Sequence, residues 1–256
     1  MISTVLMDGD GSTLTKDNEL PDNLKNLILA NPNVNWIMAT GRSLDLLKMT
    51  PIFPCLSTKL PHILDGGGKI MHLDGAVVQD NLISLEDLEL FYQLLKLDYV
   101  NFLYYSPDGK KRYGYSQEQN MLNRFAQNGI ISTNHILEFK QWTFSIRPSK
   151  LLMNIKEVFD LGSLHYHQND HNIDITARGA DKGSAGVYLL NYLELSPENV
   201  AFVFNDNNDL PLVLHPELLS ITKIKVGGLL PSVVADYMVD SPFEVAEALE
   251  NIVGNI

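Results

Sequence analysis

The 256-residue chain is 45% hydrophobic, has a formal net charge of −12 and contains a single cysteine, Cys55. That length and apolar content suit one large domain or a core with a smaller domain inserted, and one cysteine excludes an internal disulfide and agrees with a reducing cytoplasm. No apolar run approaches the roughly 20 residues of a membrane helix, no basic-then-apolar leader opens the sequence, and no basic cluster offers the positive face nucleic acid requires; neither membrane nor nucleic acid is expected as a partner.

In chain order, STVLM (3–7) predicts a strand, followed by the polar loop DGDGSTLTKDNE (8–19) and a helix over 22–30. NWIMAT (35–40) predicts a second strand, and 43–49 a helix with Ser43 as N-cap and Pro51 beyond its end. HILDGGGKIMHLDGAVV (62–78) predicts two short strands joined at Asp74-Gly75. The middle reads differently: a helix over 85–95, aromatic strand-like runs VNFLYYS and RYGYS, a helix around 117–127, then QWTFSIRP, a helix over 149–161 and a strand NIDIT (172–176). A helix over 181–193, strands VAFVF (200–204) and SITKIKV (220–226), and an amphipathic helix in PFEVAEALENIV close the sequence. The fold expected is α/β: a Rossmann-like parallel-sheet core with helices on both faces, built from 1–79 and 177–256, with 80–176 inserted as a smaller α+β domain.

Four segments carry chemistry. VLMDGDGST places Asp8 and Asp10 at the carboxyl end of a strand, where open α/β sheets build their sites. Such carboxylates suit Mg²⁺, and one can also attack phosphorus while a neighbouring acid protonates the leaving group. A solvated acidic turn is the plain alternative. A calcium loop over 8–19 fails because Thr13 stands where the sharp turn needs Gly, and a strand precedes it. NWIMATGRS ends a strand at Thr40 and starts a helix after Gly41, so a hydroxyl and free helix N–H groups could hold phosphate oxygens; a simple helix-capping turn reads equally. ITARGADKGSAG sets Lys182 in the first turn of a helix capped by Asp181, a position that disfavours a cation unless it faces an anion. VAFVFNDNNDLP runs a strand into Asn205, Asp206, Asn208 and Asp209, oxygen donors for a hard cation or a polar turn.

In this order the four segments resemble the motifs of the haloacid dehalogenase-like phosphatases: Asp-x-Asp, strand-end Thr, Lys, acidic loop. The insertion between Thr40 and Lys182 resembles the α/β cap of the Cof-type sugar phosphatases, alongside trehalose-, sucrose- and mannosyl-phosphoglycerate phosphatases. TGRS, ADKGSA, NDNNDLP and KVGG…ADYMVDSPFEV carry the likeness across the whole chain. It implies a Mg²⁺-dependent phosphatase of a small phosphorylated metabolite, a sugar phosphate by preference, located in the cytoplasm. Asp8 is then the nucleophile and a Mg²⁺ ligand, and Asp10 the general acid/base that also offers its carbonyl to the metal. Thr40 and Lys182 bind the phosphoryl oxygens, and Asp209 supports the metal site. Gly41, Arg42 and the cap residue Arg147 meet the rest of the substrate.

The chain departs from that pattern at three points. Ser12 replaces a Thr but keeps the hydroxyl. Phe204-Asn205 stand where Gly-Asp is usual, so either Asn205 ligates the metal without a charge or Asp206 supplies the carboxylate. Asp65-Gly66-Gly67-Gly68 replaces an Asn-Gly-Ala turn. Asn205 keeps a second reading open, a phosphate-ligand-binding or regulatory protein with impaired catalysis; a phosphomutase is a third. His165 and His167 share a strand face near His171, which makes a metal site conceivable, but a surface role is simpler and no zinc is assigned.

Overall fold

The computed structural model describes residues 2–169 and 171–253, which fall into two compact units, Met1–Gln79 with Asp181–Ile256 and Asp80–Ala180. The first is built on a parallel sheet of β1 (Thr4–Met7), β2 (Asn35–Met38), β12 (Val200–Phe204), β13 (Thr222–Val226) and β14 (Tyr237–Val239), ordered β14-β13-β12-β1-β2. The central strands TVLM and VAFVF are buried at every position, as expected where helices cover both faces and the sequence cannot alternate.

Alternate side chains feed two cores. Val5, Met7, Trp36, Met38 and Val203 pack with Leu24, Leu27 and Ile28 of α1 (Asp22–Ala30) and Leu249 of α8 (Val245–Val253). Leu6, Ile37, Phe202 and Phe204 face Ala185, Leu189 and Leu190 of α6 (Lys182–Tyr192) and Leu212 of α7 (Leu210–Val213). Helix α2 (Leu44–Leu47) begins after Ser43, as expected, although the Ser43 hydroxyl donates to Asp45 instead of capping a backbone N–H.

Between 62 and 80 there are three strands, not two: β3 (His62–Leu64), β4 (Lys69–Met71) and β5 (Val77–Asp80). The Asp74-Gly75 turn joins the last two, with Gly75 at φ +100°. Its extra partner, β3, is only three residues long and follows a Pro, so no alternation announced it.

The second unit carries a six-stranded sheet, β10-β11-β9-β6-β7-β8, antiparallel except for the last pair. Its strands are β6 (Val100–Tyr105), β7 (Tyr113–Tyr115), β8 (Ile131–Thr133), β9 (Lys150–Ile155), β10 (Tyr166–Asn169) and β11 (Asn172–Thr176). Helices α3 (Leu85–Leu94) and α5 (Ile136–Ser145) bury Leu88, Phe91 and Phe139 against Leu103, Tyr105, Leu151, Met153 and Ile175, while α4 (Gln119–Gln127) buries Phe125. The helix expected over 149–161 is instead β9. KLLMNI alternates in burial, a period of two, and pairing on both sides with β6 and β11 overrides the helix preference of Leu and Met. QWTFS closes α5, a helix not anticipated from the sequence. Residues 177–180, assigned above to the core, cluster with the second unit: Arg178 donates to Asp87 of α3 at 2.8 Å, and Thr176 bonds the Ala180 carbonyl. No helix among the described residues is long and apolar enough to cross a membrane.

His62 fastens β2 to β3. It is fully buried; Nδ1 accepts from Met38 N–H at 3.0 Å, so Nε2 carries the proton and donates to the Ser57 carbonyl at 3.1 Å. Burial, with His72 nearby, lowers its pKa from 6.5 to about 4 despite the Ser57 bond. The unfolded chain therefore binds this proton first as pH falls, and the stabilisation, complete above 6.5, is lost toward 4. Chemical denaturation is expected to show His62→Asn, which retains an acceptor, losing about 2 kcal/mol less stability than the native sequence between pH 7 and pH 5.

Candidate active site

Register decides which residues meet. Met7 lies opposite both Met38 and Val203, so Asp8, Thr40 and Asn205 leave the sheet side by side at its carboxyl end. Asp8 N–H donates to the Val203 carbonyl at 2.9 Å, extending the ladder by one residue. The chain then folds back: Leu14 N–H reaches Gly9 O at 2.9 Å, Thr13 Oγ1 donates to Asp8 O at 2.6 Å, and Ser12 Oγ donates to Asp8 Oδ2 at 3.0 Å. This backbone reversal, together with Gly11 at φ +79°, turns the Asp8 carboxylate inward and leaves it 5% exposed.

Lys182 meets it from α6. Asp181 and Ser184 form a reciprocal cap, with Ser184 N–H donating to Asp181 Oδ1 at 2.8 Å. The first helical residue is thereby fixed, and its side chain is 0% exposed. Lys182 Nζ donates to Asp8 Oδ1 at 2.7 Å and to Asp209 Oδ1 at 2.6 Å, with Asn208 Oδ1 at 3.5 Å. Burial opposes charge on this lysine, but Asp209 and Asp8 outweigh it and raise its pKa. Burial and the charge of Asp209 push the Asp8 carboxyl up to about 7, against the opposing pull of Lys182. One ammonium thus serves two buried carboxylates, and the cluster retains an excess of negative charge when both are ionised.

Thr40 is held by the turn at 65–68. Gly66 N–H donates to Thr40 O at 3.0 Å and Asp65 N–H to Arg42 O at 3.1 Å. Gly67, at φ +100°, lies so close to Asp181 that a Cβ there would collide with its carbonyl. The turn read as a departure in the sequence therefore braces the Thr40–Gly41–Arg42 bend and the start of α6 together. Thr40 Oγ1 accepts from Arg42 N–H at 3.1 Å, across Gly41.

The remaining predicted residues divide. Arg42 is turned to Asp10, whose carboxylate it grips with Nε (3.0 Å) and Nη2, while Nη2 also reaches Asn18 Oδ1 at 3.0 Å. Asp10 keeps 65% side-chain exposure, so its carboxylate is not gathered with Asp8 and Lys182. Its carbonyl is: Asn205 Nδ2 donates to it at 3.1 Å. Asp206, the other candidate for the missing carboxylate, accepts from Asn207 N–H at 2.6 Å and caps its own turn. Asp209 directs one oxygen to Lys182 and the other to the N–H groups of Asn205 (3.1 Å) and Asp206 (3.2 Å), so protein donors occupy both. Arg147, in the second unit, donates to the carbonyls of Ile83 (3.1 Å) and Leu82 (3.4 Å).

The oxygens suited to a hard cation are Asp8 carboxylate, the Asp10 carbonyl and Asn205 Oδ1, which is buried with no hydrogen-bond partner. This donor set fits Mg²⁺, with a neutral amide in place of a second carboxylate. Among the described residues, no group of three or more His, Cys, Asp or Glu side chains is placed to hold a metal. His165 and His167 do lie edge to face with ring centroids 5.3 Å apart, and His165 Nδ1 bonds Thr176 Oγ1 at 2.8 Å. Nothing in the sequence marks Asn18, and only the run of three glycines marks the bracing role of 65–68, whereas Asn208, expected as an oxygen donor, lies 3.5 Å from Lys182 Nζ.

The sequence pattern of the haloacid dehalogenase-like hydrolases matches residues 5–218. No curated protein matches the chain. Among solved structures, TM0651 of Thermotoga maritima superposes with a TM-score of 0.76 at 16% identity, over 100% of this chain and 99% of its own. BT1666 of Bacteroides thetaiotaomicron, from a study of phosphatases of the HAD superfamily, gives 0.74 at 16% identity over 98% and 95%. BT4131, described as a subclass IIB sugar phosphatase, gives 0.74 at 15% identity over 98% and 99%. At such identities the likeness establishes the fold.

Removing Lys182 tests the cluster. Lys182→Met leaves Asp8 and Asp209 buried without their cation, and urea denaturation at pH 7 is expected to show a loss of about 3–5 kcal/mol. The deficit shrinks as pH falls, because protonating Asp8 removes its repulsion with Asp209.

Proposed function

The chain belongs to the haloacid dehalogenase-like hydrolases, and on that footing we propose that it is a Mg²⁺-dependent phosphomonoesterase of a small phosphorylated metabolite, a sugar phosphate by preference. The observation that carries the reading is the Asp8 carboxylate, buried at a strand end and bonded to a wholly buried Lys182 at 2.7 Å. A lysine in the first turn of a helix is disfavoured by the helix dipole and by burial. Its retention there makes sense where negative charge accumulates during a reaction.

In the proposed reaction an Asp8 oxygen bonds to phosphorus as the bond from phosphorus to the alkoxide leaving group breaks. The departing oxygen takes a proton from Asp10, and water then cleaves the aspartyl-phosphate, losing a proton to the same carboxylate. Ser12 fixes the rotation of the Asp8 carboxylate, which aligns the attacking oxygen in advance. Lys182 offsets charge on the transferred group, and the Thr40 hydroxyl has its own proton to donate, since its oxygen accepts from Arg42 N–H. Both Asp10 carboxylate oxygens accept from Arg42, so the side chain must leave Arg42 before it can reach the departing oxygen. The Asp8 carboxylate, the Asp10 carbonyl and Asn205 Oδ1 would hold Mg²⁺, which would supply positive charge to offset that of the phosphoryl group.

A second reading, a phosphate-ligand-binding protein with impaired catalysis, draws on the bond from the Asn205 amide to the Asp10 carbonyl. The two separate on turnover. Phosphate release from a panel of sugar phosphates with Mg²⁺ is expected, abolished by Asp8→Asn and lowered about 10²- to 10⁴-fold in kcat by Asp10→Asn. Ligand-induced stabilisation without turnover on any member of the panel supports the second reading instead.

A further inference from the structure

The loop following β1 and the loop following β12 meet where Asn205 touches Asp10. Asn205 Nδ2 donates to the Asp10 carbonyl at 3.1 Å, and Gly11 comes so near that a Cβ there would overlap Nδ2. The opposite amide orientation would set two oxygen acceptors against each other at this distance, so the observed one is the only one that bonds. Asn205 is itself fixed, because its backbone N–H donates to Asp209 Oδ2 at 3.1 Å and its residue is 8% exposed. Its other amide atom, Oδ1, is buried without a hydrogen-bond partner.

A carboxylate at 205 could not make this contact. It would point an anionic oxygen at a carbonyl oxygen, and the two could share the space only with a cation between them. The amide N–H performs the cation's bridging role within the protein itself. A divalent cation that uses the Asp10 carbonyl must first break this bond and turn the amide over, gaining a neutral ligand where a carboxylate would supply a charged one. Lys182 already neutralises part of the Asp8 and Asp209 charge that would otherwise attract the cation.

We propose that Asn205 is an internal substitute for the cation: its amide keeps the two loops assembled without metal and makes the affinity for a free divalent cation low. This inference rests on the cation donor set named for the phosphatase reading, but it concerns assembly and cation binding, so it can be read without turnover.

Thermal melting of the full chain in EDTA and in up to 10-fold steps of Mg²⁺, together with calorimetric Mn²⁺ titration, tests it on the native sequence, Asn205→Asp and Asn205→Ala. The native sequence is expected to melt at the same temperature with EDTA and with Mg²⁺ until the cation reaches millimolar levels. Asn205→Asp is expected to melt lower in EDTA, to recover on adding Mg²⁺, and to bind Mn²⁺ at least about tenfold more tightly, one charge–charge contact being worth about that much. Asn205→Ala is expected to melt lower under both conditions with no recovery. Stabilisation of the native sequence by micromolar Mg²⁺, or Asn205→Asp melting like the native sequence in EDTA, overturns the proposal. If Asn205→Asp does not fold in either condition, the native sequence and Asn205→Ala decide it alone: an Asn205→Ala protein as stable in EDTA as the native one overturns it. Failure of every phosphate ester to turn over would sink the phosphatase reading while leaving these melting results unaffected.

Discussion

A single buried ammonium organises the carboxyl end of the parallel sheet. Lys182 bonds Asp8, 174 residues earlier, and Asp209, 27 residues later, and all three are buried. Burying one of these groups alone is costly; together they satisfy one another, and the arrangement holds only while the chain ends of β1 and β12 and the start of α6 keep their positions. The parallel register of β1 and β12 fixes the first two. The reciprocal Asp181–Ser184 cap and the close approach of Gly67 fix the third. Chemistry and fold therefore share one constraint, which explains why the three loops arrive from such distant points of the sequence.

The parts of the site that follow from local rules were legible in the sequence. Apolar runs ending in acidic loops gave β1 and β12, and Asp181 before Lys182 announced the start of α6. The parts that depend on pairing partners were not. KLLMNI has good helix formers, and only its neighbours β6 and β11 make it a strand. Tyr237–Val239 was passed over because three residues at a sheet edge carry no pattern of their own. The choice between Asn205 and Asp206 also lay beyond sequence reading, since both are adjacent oxygen donors. In the fold the two part ways: Asp206 caps Asn207, while Asn205 faces Asp10.

Two contacts hold Asp10 from opposite sides. Arg42 holds the Asp10 carboxylate outward while Asn205 holds its carbonyl inward, so one residue is anchored at both ends. The Asp10 backbone can stay in place as its side chain exchanges partners, because the two anchors act on different atoms. Asp209, with both oxygens bound by protein donors, serves as the fixed point of the loop that presents Asn205 and orients Lys182.

In the proposed reaction Asp8 is the covalent nucleophile, and acid-quenched mass spectrometry during turnover of a phosphate ester tests this directly. The peptide containing Asp8 is predicted to gain the mass of one phosphoryl group, and reduction with borohydride to convert that residue alone. A phosphoryl group on any other residue, or phosphate released with no phosphorylated protein under conditions that trap acyl phosphates, would contradict it.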